Sequence, residues 1–93
     1  MWSEFGRRAA ENASAGTDHG SAGIGFLIRT RVKGQQVGPF PGLSGGGLDG
    51  QGNLIPTADF RAIYAALLEQ WFDTDANSLL PGVSAYTRPT LLK

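Results

Sequence analysis

Residues 57–72 have the sequence TADFRAIYAALLEQWF and contain the strongest periodic signal in the chain. The apolar residues recur three and four positions apart, which is the spacing of one face of an α-helix. Thr57 is the predicted N-cap, and Asp59 in the first turn suits the positive end of the helix dipole. We therefore predict a helix from Ala58 to Phe72. The apolar stripe consists of Phe60, Ile63, Tyr64, Leu67, Leu68, Trp71 and Phe72.

This apolar stripe has two interpretations. The commoner one is a helix packed on a sheet, and the other is a helix that binds a partner helix or a membrane. Trp71 and Phe72 would each contribute about 1.5–3 kcal/mol if they were fully buried. A chain of 93 residues has a modest core. We therefore expect self-association to cover apolar surface that the chain cannot bury itself.

Three segments on the N-terminal side of the helix complete the predicted fold. The run Ile24–Val32 is β-rich and bounded by glycines, so it predicts a strand. The small and polar residues Glu4–Gly20 predict a loop with one helical turn around Arg8–Asn12. Lys33–Pro56 is rich in glycine and proline and predicts a long ordered loop with a short hairpin across Asp49–Asn53.

The predicted fold class is α/β, with a short sheet covered by one main amphipathic helix and joined by long Gly-rich loops. The chain contains 14 glycines and five prolines, which agrees with extensive loops. A solitary domain rarely keeps a loop as long as the predicted one, whereas a loop resting on a larger body is ordinary. This contrast indicates a missing partner surface.

The composition argues against several classes of partner and site. Eight basic and eight acidic residues give zero formal net charge, so we expect no nucleic-acid partner. No apolar run approaches the roughly 20 residues that span a bilayer, so we expect no membrane span. Because the chain lacks cysteine, it can form neither a disulfide nor a thiolate metal site.

The segment Gly16–Gly20, with the sequence GTDHG, contains the only histidine of the chain. An imidazole beside a carboxylate suits a divalent metal such as zinc. The flanking glycines allow the backbone to approach a bound ion or phosphate closely. A structural interpretation stays open, in which Asp18 caps a turn and His19 makes a local hydrogen bond.

The segment Glu4-Phe5-Gly6-Arg7 is the second candidate. Glu4 would follow a strand, and open α/β sheets place functional groups at the carboxyl ends of their strands. Arg7 has the planar guanidinium that binds phosphate or sulfate through two hydrogen bonds. The alternative is that Glu4 and Arg7 pair with each other across one turn.

Together these segments resemble the C-terminal part of the bacterial domain of unknown function 1501 family. The resemblance runs from Trp2 to about Gly82 and rests on several motifs in combination. They are WSEFGRR (2–8), Glu11-Asn12, GTDHG (16–20), Val32-Lys33-Gly34, Leu48-Asp49, Gln51-Gly52-Asn53-Leu54, Pro56-Thr57 and Asp59-Phe60-Arg61 with Tyr64.

This resemblance implies a fold, an activity and a set of site residues. Members are typically several hundred residues long, are usually exported by the twin-arginine route, and are related to alkaline phosphatases and sulfatases. The relationship implies an α/β sandwich with a metal-assisted phosphate- or sulfate-ester site, and a divalent cofactor such as zinc, manganese or calcium. His19 resembles the metal-ligating histidine of a His-Gly motif in that superfamily. Glu4 lies where related enzymes have an aspartate, and Phe5 replaces the histidine that follows it.

Two functional hypotheses follow. In the first, residues 1–93 are a single partial domain of a metal-dependent phosphatase or sulfatase, inactive alone, with Glu4, Asp18 and His19 as metal ligands and Arg7 as the anion-binding residue. The resemblance implies that the nucleophile and the first metal ligands lie in a missing N-terminal part of the same domain. In the second, the chain is a non-catalytic binding or assembly module that forms homo-oligomers through its aromatic helix face.

Overall fold

The computed structural model describes residues 1–93 and combines a small antiparallel sheet with short helices. This mixed α/β content agrees with the predicted class. The chain forms two compact units. Unit 1 contains Met1–Leu27 and Pro39–Thr57, and unit 2 contains Ile28–Gly38 and Ala58–Lys93. The elements are β1 (Gly6–Glu11), β2 (Thr17–Gly20), α1 (Phe60–Gln70) and α2 (Ala76–Leu79), with 3-10 turns at Gly45–Gly47 and Val83–Ala85.

The two strands form a hairpin within the segment that was predicted to be a loop, so that prediction and its helical turn around Arg8–Asn12 are wrong. Asn12 closes the connection, because its Oδ1 accepts the N–H groups of Ser14 at 3.0 Å and Gly16 at 3.1 Å. Ala15 completes the turn with a φ of 58°. An asparagine side chain that bonds to backbone two residues ahead is a turn signal.

Close backbone packing explains why these polar residues form strands. Gly6 is paired with Gly20 across the hairpin. A Cβ atom on Gly6 would clash with the backbone of Ala22, and one on Gly20 would lie 2.8 Å from the carbonyl carbon of Arg7. The absence of side chains at these positions permits this approach. The strand propensity of the side chains alone does not predict this pairing.

The strand predicted over Ile24–Val32 is absent, which corrects the sequence prediction. Only isolated bridges occur there, from Gly25 to Trp2 and from Val32 to Leu92. β-Propensity reflects how well a side chain fits a pleated and half-buried surface, so it needs neighbouring strands to take effect. Here Ile24 and Ile28 are 71% and 84% exposed.

Helix α1 is shorter than predicted by two residues at each end. Asp59 is the N-cap, since its Oδ1 accepts the N–H of Arg61 at 2.9 Å. Thr57, the predicted cap, instead donates its hydroxyl proton to the carbonyl of Pro39 at 2.6 Å. At the other end, the N–H of Trp71 donates to the carbonyl of Leu67.

The core of unit 2 lies on a different side of α1 from the predicted one. α1 packs against α2 and the Val83–Ala85 turn. The buried residues of α1 are Ala62, Ala65 and Ala66. The stripe predicted to be buried is only partly covered: Phe60, Tyr64, Trp71 and Phe72 are exposed, whereas Ile63, Leu67 and Leu68 are half-buried.

Hydrogen bonds of the Arg88 and Gln70 side chains connect the C-terminal segment to α1. The guanidinium of Arg88 donates to the carbonyls of Val83 and Tyr86, both at 2.7 Å, and to Glu69 Oε1 at 2.8 Å. Gln70 Oε1 accepts the N–H groups of Leu91 and Leu92, and its Nε2 donates to Pro89. These contacts position the C-terminal segment, which has no regular secondary structure after the Val83–Ala85 turn.

The short hairpin predicted across Asp49–Asn53 is confirmed by a bridge between Leu48 and Leu54. Asp49 Oδ1 accepts the N–H groups of Gln51 and Asn53, both at 2.9 Å. The hydrogen bond from the Asn53 backbone is the main cause that lowers the pKa of the exposed Asp49 carboxyl. None of the helices has the length and apolar character needed to cross a membrane.

Candidate functional site

Arg7 on β1 and His19 on β2 are direct cross-strand partners. Paired residues of an antiparallel hairpin project from the same face, and so does the residue two positions away. Phe5 accordingly stacks on His19, with ring centroids 3.7 Å apart and an interplanar angle of 22°. The guanidinium carbon of Arg7 lies 5.1 Å from the centre of the Phe5 ring. We call Phe5, Arg7 and His19 the hairpin face.

The hairpin face presents two exposed polar groups on a half-buried aromatic ring. Arg7 is oriented by two contacts, the Phe5 ring and a hydrogen bond from Nη1 to the carbonyl of Thr17 at 2.5 Å. Because a guanidinium has five N–H donors, Arg7 keeps donors for an anion after this bond. The His19 ring is held by stacking on Phe5, and not by the local hydrogen bond considered above.

Asp18 does not share this face, because successive side chains of a strand point in opposite directions. Its Oδ1 accepts a hydrogen bond from Asn12 Nδ2 at 3.0 Å. Asn12 in turn binds the backbone of the connecting turn. This arrangement favours the structural interpretation of Asp18, in which the carboxylate supports the turn.

Glu4 is exposed and lies two residues before β1 begins. The ion pairs of the structure are Arg61 with Asp59 and Arg88 with Glu69. The alternative pairing of Glu4 with Arg7 is therefore not formed.

The predicted metal ligands Glu4, Asp18 and His19 are not brought together as one ligand set. No group of three or more histidine, aspartate or glutamate side chains is placed to hold a metal ion. His19 on its own has the chemistry of a single zinc ligand, because imidazole is a common ligand of zinc. Metal binding by His19 stays a prediction.

Phe5 and Asn12 contribute to this site, and neither contribution was predicted from the sequence. Phe5 was treated only as a replacement for a histidine, although its spacing of two from Arg7 places both on one face of an extended strand. Asn12 was predicted to lie in a helical turn around Arg8–Asn12 and in the motif Glu11-Asn12. Its position ahead of Ser14 and Gly16 is the signal that indicates a turn.

No family model matches the sequence, and neither a curated protein nor a solved structure matches it. The family resemblance described above therefore stays a prediction based on its motifs.

Proposed function

We propose that this chain contributes the hairpin face to a metal-assisted phosphate- or sulfate-ester hydrolase of the alkaline-phosphatase-like kind. One observation supports this proposal above the others. In the hairpin, an exposed imidazole and an exposed guanidinium are direct cross-strand partners. That combination suits a tetrahedral oxyanion bound next to a divalent cation.

Each residue of the hairpin face has a distinct role in this proposal. Arg7 binds two non-bridging oxygens of the ester with the donors that Thr17 leaves free. His19 is a metal ligand, and Phe5 fixes the plane of its ring by stacking. The metal, when bound, stabilises the charge that develops on the ester oxygens.

Ester hydrolysis also needs a nucleophile in line with the leaving group and further metal ligands. We propose that these groups come from polypeptide outside residues 1–93, as the family resemblance implies. Residues 1–93 alone would then bind an oxyanion weakly and would not turn over an ester.

The direct test is an assay of p-nitrophenyl phosphate and p-nitrophenyl sulfate with zinc, manganese or calcium. The assay compares residues 1–93 with a longer polypeptide that contains them. We expect turnover only by the longer polypeptide, abolished by His19→Ala and with a raised KM in Arg7→Gln. Glu11→Gln, at the far end of β1, is the matched control and should leave activity unchanged. A longer polypeptide that is inert with every metal would contradict the proposal.

A second candidate function, a non-catalytic assembly module, is favoured by the exposed aromatic side of α1. Phe60 is 64% exposed and Phe72 is 65% exposed. Large apolar residues grouped on one exposed face indicate an interaction surface. Sedimentation velocity tests this function: Phe72→Gln should dissociate an oligomer, and Phe40→Gln, an exposed phenylalanine of unit 1, should not. A monomer at all concentrations would exclude homo-oligomerisation.

A further inference from the structure

The pairing of β1 with β2 becomes irregular directly after Arg7. Arg7 pairs with His19, and the next pair is Glu11 with Thr17, so β1 advances by four residues while β2 advances by two. Extra residues on one strand bulge out of the ladder and bend that strand. The pairing with β2 alone therefore does not fix the course of β1 after Arg7.

Contacts on both sides of this irregularity hold the strand. At Arg7 itself, the backbone N–H donates to the carbonyl of Ala22 at 3.0 Å. At the following residue the contact is made by a side chain, since Arg8 Nε donates to Asn53 Oδ1 at 3.2 Å. Arg7 is thus held between a backbone hydrogen bond to Ala22 and a side-chain hydrogen bond to Asn53.

Asn53 is itself firmly placed. It is the one buried polar residue of the chain, with 9% of its surface exposed. Its Nδ2 donates to Asp49 Oδ2 at 3.1 Å, and its backbone N–H donates to Asp49 Oδ1 at 2.9 Å. These hydrogen bonds from Asn53 lower the pKa of the Asp49 carboxyl, and the charge of Arg8 lowers it further. Arg8, Asn53 and Asp49 therefore form one network.

The amide of Asn53 suits the two different neighbours that it bonds. Its oxygen accepts a hydrogen bond from the guanidinium of Arg8, and its nitrogen donates one to the carboxylate of Asp49. An amide side chain supplies an acceptor and a donor on separate atoms. An apolar residue of the same size would leave Arg8 Nε without its partner.

We propose that Asn53 is a positioning residue for the hairpin face and that Asp49 orients its amide. Through Arg8, Asn53 sets the course of β1 at the irregularity and so holds Arg7 beside His19. This role rests on the proposed function, in which Arg7 binds the ester oxygens. Neither Asn53 nor Asp49 touches the ester, and their effect is on the placement of Arg7.

A proton NMR signal reports the position of Arg7 without any ligand. The guanidinium carbon of Arg7 lies 5.1 Å from the centre of the Phe5 ring, so the ring current of Phe5 should shift the side-chain protons of Arg7 from their values in urea. We expect Asn53→Leu to remove most of this shift, because leucine has a similar size and neither polar group. A purely structural role would lower the melting temperature and leave the shift of the folded chain unchanged, which would overturn the proposal.

An exchange of the two network residues provides the rescue. The double variant Asp49→Asn with Asn53→Asp keeps an acceptor for Arg8 and reverses the hydrogen bond between the two side chains, so it should restore the Arg7 shift. Gln51→Ala is the matched control, because Gln51 contributes its backbone N–H to this loop, and it should leave the shift unchanged. If Asn53→Leu fails to fold, Arg8→Met removes the donor instead, and an unchanged shift in that variant would overturn the proposal.

Titration with methyl phosphate, followed by the ring resonances of His19, connects the position of Arg7 to binding. Loss of one hydrogen bond from Arg7 to the anion weakens binding about tenfold, so we expect that change in Asn53→Leu and a change below about twofold in the exchanged variant. Unchanged affinity in Asn53→Leu would overturn the positioning role. An unmodified chain that does not respond to methyl phosphate would contradict the proposed function, whereas loss of the Arg7 shift in Asn53→Leu would still support the placement of Arg7 by Asn53.

Discussion

Replacing Arg88 with methionine should destabilise unit 2 more than any other single charge-removing substitution in it. The Arg88 guanidinium donates to Glu69, Asn77, Val83 and Tyr86, and its side chain is only 19% exposed. Methionine keeps much of the apolar stem and removes the donors.

The expected magnitude follows from the groups that lose their partner. The part-buried carbonyl of Tyr86 and the carboxylate of Glu69 lose a hydrogen bond, whereas the carbonyl of Val83 still accepts the N–H of Tyr86 at 3.0 Å. A buried polar group left unsatisfied costs about 1–3 kcal/mol. Water can reach some of the freed groups, so we expect a total loss of about 2–4 kcal/mol. A chain of 93 residues has a total stability of roughly 5–14 kcal/mol. The loss is therefore a large share of it.

The assay is urea unfolding, followed by the fluorescence of Trp71 in a Trp2→Phe background. Arg61→Met is the matched control, because Arg61 is an exposed arginine of the same unit whose ion pair is with Asp59. Exposed ion pairs contribute little to stability. A loss for Arg88→Met that is no larger than the loss for Arg61→Met would refute the reasoning.

Three further outcomes are expected. Gly6→Ala should disrupt the hairpin, seen as lost strand signal in circular dichroism, whereas Gly34→Ala should be tolerated because nothing lies within 4 Å of its added methyl group. Gln70→Ala should speed hydrogen exchange of the Leu91 amide, which donates to Gln70 Oε1. The side-chain hydrogen bond from Arg61 holds the pKa of Asp59 at about 2, below its ordinary value of 3.8. The stabilisation is therefore fully present above pH 3.8 and is lost as the pH falls toward 2. Thermal melts should show a smaller loss over this pH range in Asp59→Asn than in the unmodified chain, because the Asp49 carboxyl, whose pKa is also lowered, contributes to the loss in both.

Helix α1 could be predicted from the sequence because its signal is local. The spacing of Ile63, Leu67 and Leu68 is a helical repeat that needs no knowledge of distant residues. The N-cap was misplaced by two residues, because both Thr57 and Asp59 are good caps. Tertiary contact decided between them: the Thr57 hydroxyl binds the carbonyl of Pro39.

The buried face of α1 could not be predicted from hydrophobicity. The strongest apolar residues define one stripe, whereas the small residues Ala62, Ala65 and Ala66 are the ones buried. Alanine allows close approach of α2 and the Val83–Ala85 turn. Which face of the helix is covered therefore depends on the size of its side chains as well as on their polarity.

The β elements depended on contacts that composition does not encode. Ile24–Val32 has strong strand propensity and gains only single bridges, while the polar run Gly6–Glu11 becomes a strand because it pairs with β2. The same pairing brings Arg7 and His19 together. Their separation by 12 positions in the sequence gives no indication of this contact.

The measurement that most directly tests the proposed function is a proton NMR titration of the single histidine with manganese. His19 is the only histidine of the chain, so its imidazole resonances can be assigned without ambiguity. We expect them to broaden at lower manganese concentration when methyl phosphate is present, because Arg7 and His19 would hold the ester and the metal together and their binding would be reciprocally coupled. Chelator should reverse the broadening, and Arg7→Gln should remove the effect of methyl phosphate. Broadening equal to that of a free histidine peptide, and indifferent to methyl phosphate, would contradict the account.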